Sequence, residues 1–354
     1  HVWSHFPEQR LGPNPFVPTP IISPPEDGVT YHDITPRFGA AYDIFGNGKT
    51  AIKVNVGKYL VAADGSSITG GQLNPLSRVS TSANRTWTDA NRNFHPDCDL
   101  QNPQAQDLRA SGGDFCGINS NVNFARPVFS TTFDPDMLSG WGKRAYDWNF
   151  GVQLQQELLP RVSVNVGYFR RIFGNFFVTD NLATTAADYD SFSVTAPADS
   201  RLPGGGGYVI GNLYDVRPAL AGVENNFQTF SDVYGRQRRH WNGVELNFTA
   251  RVRGGLSFQG GMSTGRRIDD TCEIRAVLPE VDELDPYCLS EPPFRTDLKA
   301  LGSYTIPIAD VQVSGTFQSI PGEALNADYD VPGAIAAASL GRPLSGNATD
   351  VEAN

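Results

Sequence analysis

Long runs of two-residue alternation constrain this chain more than any other feature. In 146–158 the even positions Tyr146, Trp148, Phe150, Val152 and Leu154 are apolar. The odd positions Asp147, Asn149, Gly151, Gln153, Gln155 and Glu157 are polar or glycine. Successive side chains on a strand point to opposite faces, so this segment predicts a ribbon with one greasy and one wettable side. Leu-Pro-Arg follows, and Val162, Val164, Val166 and Tyr168 alternate with Ser163, Asn165 and Gly167. The same unit recurs three times. Phe38, Ala40, Tyr42 and Ile44 lead to Gly46-Asn47-Gly48, and Ile52, Val54 and Val56 return. Val244, Leu246, Phe248 and Val252 reach Arg253-Gly254-Gly255, and Leu256, Phe258 and Met262 return. Leu298, Ala300, Tyr304 and Ile306 turn at 307–310 into Val311, Val313 and Phe317. The pattern predicts about eight strands in four hairpins, the Asn-Gly pair reading as a type I′-like turn.

Short turns within the hairpins alternate with long, polar links at about 61–142, 179–237 and 270–293. Transmembrane barrels have this asymmetry, with short periplasmic turns and long outer loops. The strands run about 10 to 14 residues, where soluble strands average about 5–6 and a bilayer is crossed in about 9–11. Tyr59, Tyr146, Trp148, Tyr168, Trp241 and Tyr304 near the strand ends suit interfacial girdles. Lys53, Gln153, Gln155, Glu157, Asn165, Glu245, Asn247, Arg251 and Lys299 on the polar side require a wet or plugged lumen, hence a wide barrel. The expected fold class is therefore all-β, an antiparallel transmembrane β-barrel segment with long extracellular loops. Residues 1–33 read as a partial extracellular segment, 34–322 as the hairpins and their loops, and 323–354 as a loop leading to further strands.

Composition removes other classes. Gly 36 and Pro 25 among 354 residues oppose a helical protein, and 21 Phe, 12 Tyr and 5 Trp oppose a disordered one. No apolar run is long enough for a transmembrane helix, which a barrel does not need. A balance of 28 − 38 = −10 does not suit nucleic acid as a partner. The four cysteines fall in two local pairs, Cys98 with Cys116 and Cys272 with Cys288. With no CxxC and no histidine cluster beside them, disulfides in an oxidising compartment fit better than zinc; four free buried thiols stay open as the alternative. Neither metal nor cofactor is called for.

Candidate chemistry is sparse. Gly261-Met262-Ser263-Thr264-Gly265 matches a nucleophile-elbow string, but it lies inside an alternating strand and no histidine follows it. A serine hydrolase is the minor alternative, and no enzymatic activity is expected. Gly46-Asn47-Gly48-Lys49-Thr50 lacks the first glycine and the helix of a phosphate loop. Asp269, Asp270, Glu273, Glu280, Asp282, Glu283 and Asp285 form an acidic loop that could take a cation, although the spacing fits no EF-hand. Arg170, Arg171, Arg236, Arg238, Arg239, Arg266 and Arg267 fall near the loop-side strand ends. Read as a ring around one mouth, they would bind an anionic ligand or lipopolysaccharide phosphates; the competing reading pairs them with the acidic loops. Tyr208, Tyr214, Trp87, Phe94 and Phe115 are loop aromatics able to touch a ligand.

Three stretches carry a family resemblance. Ile34-Thr-Pro-Arg-Phe-Gly-Ala-Ala-Tyr-Asp-Ile-Phe-Gly-Asn-Gly-Lys-Thr-Ala-Ile-Lys-Val-Asn-Val-Gly-Lys-Tyr59 resembles a barrel hairpin of TonB-dependent outer-membrane receptors, in the Oar-like branch whose members carry a carboxypeptidase-regulatory-like domain. Trp148-Asn-Phe-Gly-Val-Gln-Leu-Gln-Gln-Glu-Leu158 with Val162-Ser-Val-Asn-Val-Gly-Tyr168 resembles a second hairpin, and Trp241-Asn-Gly-Val-Glu-Leu-Asn-Phe248 a third. The resemblance implies the C-terminal part of a barrel of about 22 strands around a plug, energised through TonB. It also implies the bacterial outer membrane as location, its lipid and lipopolysaccharide as neighbours, and import of an external ligand. The chain opens and stops in loop-like sequence, so it reads as a fragment whose plug, TonB box and last strand are expected outside it. The alternative function is a soluble, secreted all-β module binding glycans.

Overall fold

The computed structural model describes residues 1–14, 17–63, 73–121, 123–126, 128, 131–252, 254–281, 287–322 and 327–353. Two units form. One comprises His1–His32 and Ala62–Lys143, the other Asp33–Val61 and Arg144–Asn354.

The larger unit is organised by one sheet. Its strands are β1 (Arg37–Asp43), β2 (Thr50–Leu60), β3 (Tyr146–Leu159), β4 (Val162–Gly174), β5 (Arg238–Val252), β6 (Leu256–Asp270), β7 (Leu289–Ser290), β8 (Arg295–Ile306) and β9 (Val311–Ser319). The order is β9-β8-β6-β5-β4-β3-β2-β1, with the two-residue β7 beside β6. Each long strand thus pairs antiparallel with the next long strand in the chain. The sheet has nine strands where about eight were expected, and it is open. No described pairing joins β1 to β9, so the barrel does not close within this chain.

The register carries the alternation across the whole sheet. Ile52, Leu154, Val166, Leu246, Met262 and Leu298 stand in one row from β2 to β8. One residue away, Lys53, Gln153, Gly167, Glu245, Ser263 and Asp297 form the row on the opposite face. Directly opposed residues share a face, so the pleat separates the two sets completely. The apolar face is left uncovered: Val152 is 50%, Leu154 44% and Phe317 58% exposed. Full burial of such a side chain is worth about 1.5–3 kcal/mol, so leaving it half exposed to water forfeits about half of that, a cost that hydrocarbon removes.

Turn chemistry departs from expectation at one hairpin. The β1–β2 connection is not a two-residue type I′ turn but spans 44–49. Asp43 closes it, its carboxylate accepting from the amides of Gly48 (2.6 Å) and Phe45 (3.3 Å). Gly46 and Gly48 have φ of +67° and +72°, while Asn47 stays out of the left-handed region that a type I′ turn requires of it. At β3–β4, Pro160 precedes Arg161 at φ +71° in a two-residue turn.

The buried apolar clusters lie off the long sheet. Phe192, Val194, Ile210 and Leu213, from the hairpin Tyr189–Thr195 and Val209–Val216, pack with Val331, Ala336 and Leu344. Those last three come from the segment read as a plain loop before further strands. Its described part forms the strand pair Tyr329–Pro332 with Asp350–Ala353 and the helix Gly333–Leu340. Arg342 fastens it: Nε and Nη2 donate to Asp190 (3.0 and 2.9 Å), and Nη1 donates to Asp215. A second cluster joins Val178 to Ile274 and Leu278, beside the Cys272–Cys288 disulfide.

The smaller unit is a separate body. Val2–Phe6 pairs antiparallel with Glu26–His32, and Ser139–Trp141 joins parallel. Tyr31 is buried and donates to the Met137 carbonyl at 2.9 Å. Residues 1–33, read as an extracellular segment, thus contribute two strands to this sheet and a further pair, Gln9–Leu11 with Ile21–Ser23, of their own. The Cys98–Cys116 disulfide lies in this unit. Both expected disulfides form, and among the described residues no cysteine is free.

Candidate functional site

The loop-side end of the polar face gathers the densest chemistry. Register sets Asn149, Arg171, Trp241 and Arg267 in one row from β3 to β6. Phe173 and Asp147 oppose each other just beyond it, and Phe169 stands one row below. All of these except Asp147 line an open hollow of about 540 Å³ that also takes in Asn55 and Glu245. The aromatic rings lie on the sheet because glycines permit it. The Trp241 ring occupies the space a Cβ would need at Gly243 and Gly265, and Phe169 does the same at Gly167; at Gly151 the Asn55 amide fills that space with the Phe169 ring at its edge. A side chain at those positions would lift the rings off the surface.

The expected ring of arginines resolves into two faces. Arg171, Arg239 and Arg267 lie on the polar side. Arg171 donates through Nε (2.9 Å) and Nη2 (2.8 Å) to the buried Asp147, a two-pronged pair that Asn149 reinforces at 2.8 Å. Arg239 and Arg267 share Asp269, the latter at 2.7 Å. Arg170, Arg266 and Arg238 fall on the apolar side, opposite Phe150, Asn242 and Asp270 respectively. The single ring is therefore corrected, for a reason of parity: adjacent residues such as Arg170 and Arg171 must point opposite ways on a strand. Arg236 lies before β5 and pairs with Glu273 at 2.7 Å.

The girdle aromatics divide likewise. Tyr146, Trp148, Tyr168 and Tyr304 are on the apolar face, while Tyr59 and Trp241 are on the polar one. Sequence reading missed Asp147, Phe169 and Phe173 as neighbours of the arginines. Counting parity from Gln153 along β3 and from Asn165 along β4 finds all three.

The remaining candidates separate. Ser263 sits in mid-strand on β6, opposite Glu245 and Asp297, whereas His240 stands on the other face. In the acidic loop, Asp269 and Glu273 are spent on arginines. Burial raises the pKa of Glu280 above its ordinary value, with the Asp180 carboxylate adding to the shift. Burial also raises that of Tyr234, whose hydroxyl donates to Asp180. Asp282, Glu283 and Asp285 lie outside the described residues, as does Arg253. Among the described residues no group of three or more His, Cys, Asp or Glu is placed to hold a metal. Trp87 donates through Nε1 to buried Asp114 at 2.9 Å, and that bond with several backbone amides lowers the Asp114 pKa. Phe115 and Tyr214 lie under Arg109 and Arg275, at 5.4 and 5.6 Å. Phe94 and Tyr208 are exposed.

An antiparallel meander of long strands, greasy on its uncovered side and polar on the other, defines a β-sheet built for lipid rather than for water. Residues 22–352 match the model of the outer membrane beta barrel domain. The chain belongs to that family, and its place is the bacterial outer membrane. No curated protein and no solved structure matches it. Family membership and the uncovered apolar face together set aside the soluble, secreted module. Among the described residues no helix is long and apolar enough to cross a membrane, which leaves crossing by strands untouched.

Proposed function

We propose that the chain is part of a TonB-dependent receptor of the Oar-like branch, which captures an external ligand on its loop side and imports it. The observation that carries the reading is the hollow where Trp241, Phe169 and Phe173 line the polar face beside paired arginines. Arg171, Arg239 and Arg267 face Asp147 and Asp269, so the local charge is nearly balanced. Such a surface suits a ligand with a flat ring to stack on Trp241 and polar groups for Asn149 and Glu245. The receptor works by binding and passage, without covalent chemistry, metal, cofactor or nucleic acid.

The test uses the full-length protein in intact cells. Depletion of medium components is compared between cells that make the receptor, cells that lack it, and cells that make it without TonB. The reading expects one component to be taken up only when both are present, and uptake to fall at least tenfold in Trp241→Ala at equal surface amount. Uptake unaffected by loss of TonB would reject energised import.

A further inference from the structure

In an outer-membrane barrel the apolar side of the sheet meets lipid. On the long strands described here, that side carries no charged residue from the short turns up to one row. In that row stand Arg170 on β4, Asn242 on β5 and Arg266 on β6, directly opposed across neighbouring strands. From Leu256 to Arg266 the strand advances ten residues, about 34 Å along its length. For a tilt of about 40° that is about 26 Å of height, close to the apolar band of about 25 Å. The row therefore lies where hydrocarbon gives way to headgroups. An arginine facing lipid at mid-height costs about 2–4 kcal/mol, but about 0–1 near the interface, so the two cations stand where they are tolerated.

Their partners are unusual for charges in an acidic chain. Among the described residues neither Arg170 nor Arg266 has a carboxylate at ion-pair distance, unlike Arg171, Arg239 and Arg267 on the other face. Arg266 instead lies over the Phe294 ring, 5.1 Å from its centre. Tyr168 donates to Asn242 Oδ1 at 3.0 Å, which leaves the Asn242 amide as a donor. His240 is close enough to feel both guanidinium charges, and Asp269 and Glu291 reach it as well. The two arginine backbones are about 10 Å apart, two strand spacings, and long side chains can converge over Asn242 from that distance. Arg238, farther up the face, has Asp270 across from it and is left out. At the same height on β3 and β2 stand Phe150 and Val56; Lys58, one row farther up β2 on the same face, lies over the Tyr146 ring, 4.5 Å from its centre, so within the row itself the cations are confined to β4 and β6.

We propose that Arg170, Asn242 and Arg266 hold the phosphate of an outer-leaflet lipid, the phosphorylated glycolipid of lipopolysaccharide, against the outside of the barrel. Planar guanidinium forks bind phosphate oxygens through paired hydrogen bonds, and the Asn242 amide supplies a further donor. The inference rests on the apolar face meeting lipid and on the long connections lying outside. It does not rest on import, and uptake is not part of its readout.

The full-length protein is purified from outer membranes in mild detergent and the lipopolysaccharide retained per protein is measured by mass spectrometry. The wild type should keep it through washing, and Arg170→Gln/Arg266→Gln should lose it at least tenfold. Arg171→Gln/Arg267→Gln, on the polar face, should keep it. An arm that needs no variant offers the stripped wild type intact or dephosphorylated lipopolysaccharide; binding should follow the phosphates. Equal retention by Arg170→Gln/Arg266→Gln, equal binding of dephosphorylated lipid, or loss only in the polar-face variant would overturn the assignment. Displacement by millimolar inorganic phosphate alone would overturn the lipid as its source.

Discussion

The long sheet and the connections at its loop end solve the same problem in opposite ways. The sheet leaves Val152, Leu154, Leu246 and Phe317 uncovered and contributes nothing to the three buried apolar clusters. The connections gather Phe192, Leu213 and Val331 in one place and Val178 and Ile274 in another, and use two disulfides besides. The difference teaches which solvent each part meets. In hydrocarbon nothing is gained by turning a leucine inward, whereas every backbone amide must be paired, and a continuous ladder does that. In water a small connection must bury what it can and staple the rest.

The contrast is most strongly broken by placing charge on the wrong face. Leu246→Arg, near mid-height on the apolar side, should destabilise the membrane-inserted protein by about 2–4 kcal/mol. Asn247→Arg, its neighbour on the polar side, should stay within about 0.5 kcal/mol. Urea unfolding in lipid vesicles checks both, and equal effects would erase the distinction between the faces.

Disulfides should matter only to the connections. Cys98→Ser opens a link with a sequence separation of 18 and should cost its unit about 3 kcal/mol. Hydrogen exchange should quicken around Trp87 and Asp114 while the amides of β3 to β6 remain protected. Arg342→Ala, which removes the bonds to Asp190 and Asp215, should loosen 329–353 by about 1–3 kcal/mol. Exchange in those residues would rise with the sheet unchanged.

A smaller effect depends on pH. Burial beside Asp180 raises the Glu280 pKa, so the folded connection holds this proton more tightly than the unfolded one. The stability linked to that proton is complete below the ordinary glutamate value. It is lost as pH rises through the raised one. Glu280→Gln should therefore slow local exchange around Val178 and Ile274 near pH 7, with the difference shrinking as pH falls through the raised value and gone below about 4.5. A difference that grew toward acid would reverse the sign and exclude the buried carboxyl as its cause.

Much of the sheet could be read from residue order. Period-two alternation located the hairpin strands, and the two faces follow from parity alone. Parity also separates Arg170 from Arg171 and Arg266 from Arg267, although reading the arginines as one ring overlooked it. Asp43 as the closure of the β1–β2 turn was less legible, because Asn47-Gly48 imitates a two-residue turn. The helix at Gly333–Leu340 lies in polar surroundings that read as plain loop. Its stability comes from Phe192 and Leu213, far away in the chain, and no local periodicity records them.

The sequence by itself determined that the eight long strands would alternate greasy and wettable sides, because a strand's two faces are a local property of successive residues. It also placed each cysteine pair within one connection, where local disulfides fit best, and the structure forms both. Only the tertiary structure decided that Arg342 would grip Asp190 and Asp215, that Trp241 would lie flat over Gly243 and Gly265, and that Arg170 and Arg266 would flank Asn242 with no carboxylate at ion-pair distance among the described residues. Those arrangements depend on strand register and on contacts between distant segments, which are fixed only once the whole sheet is laid down.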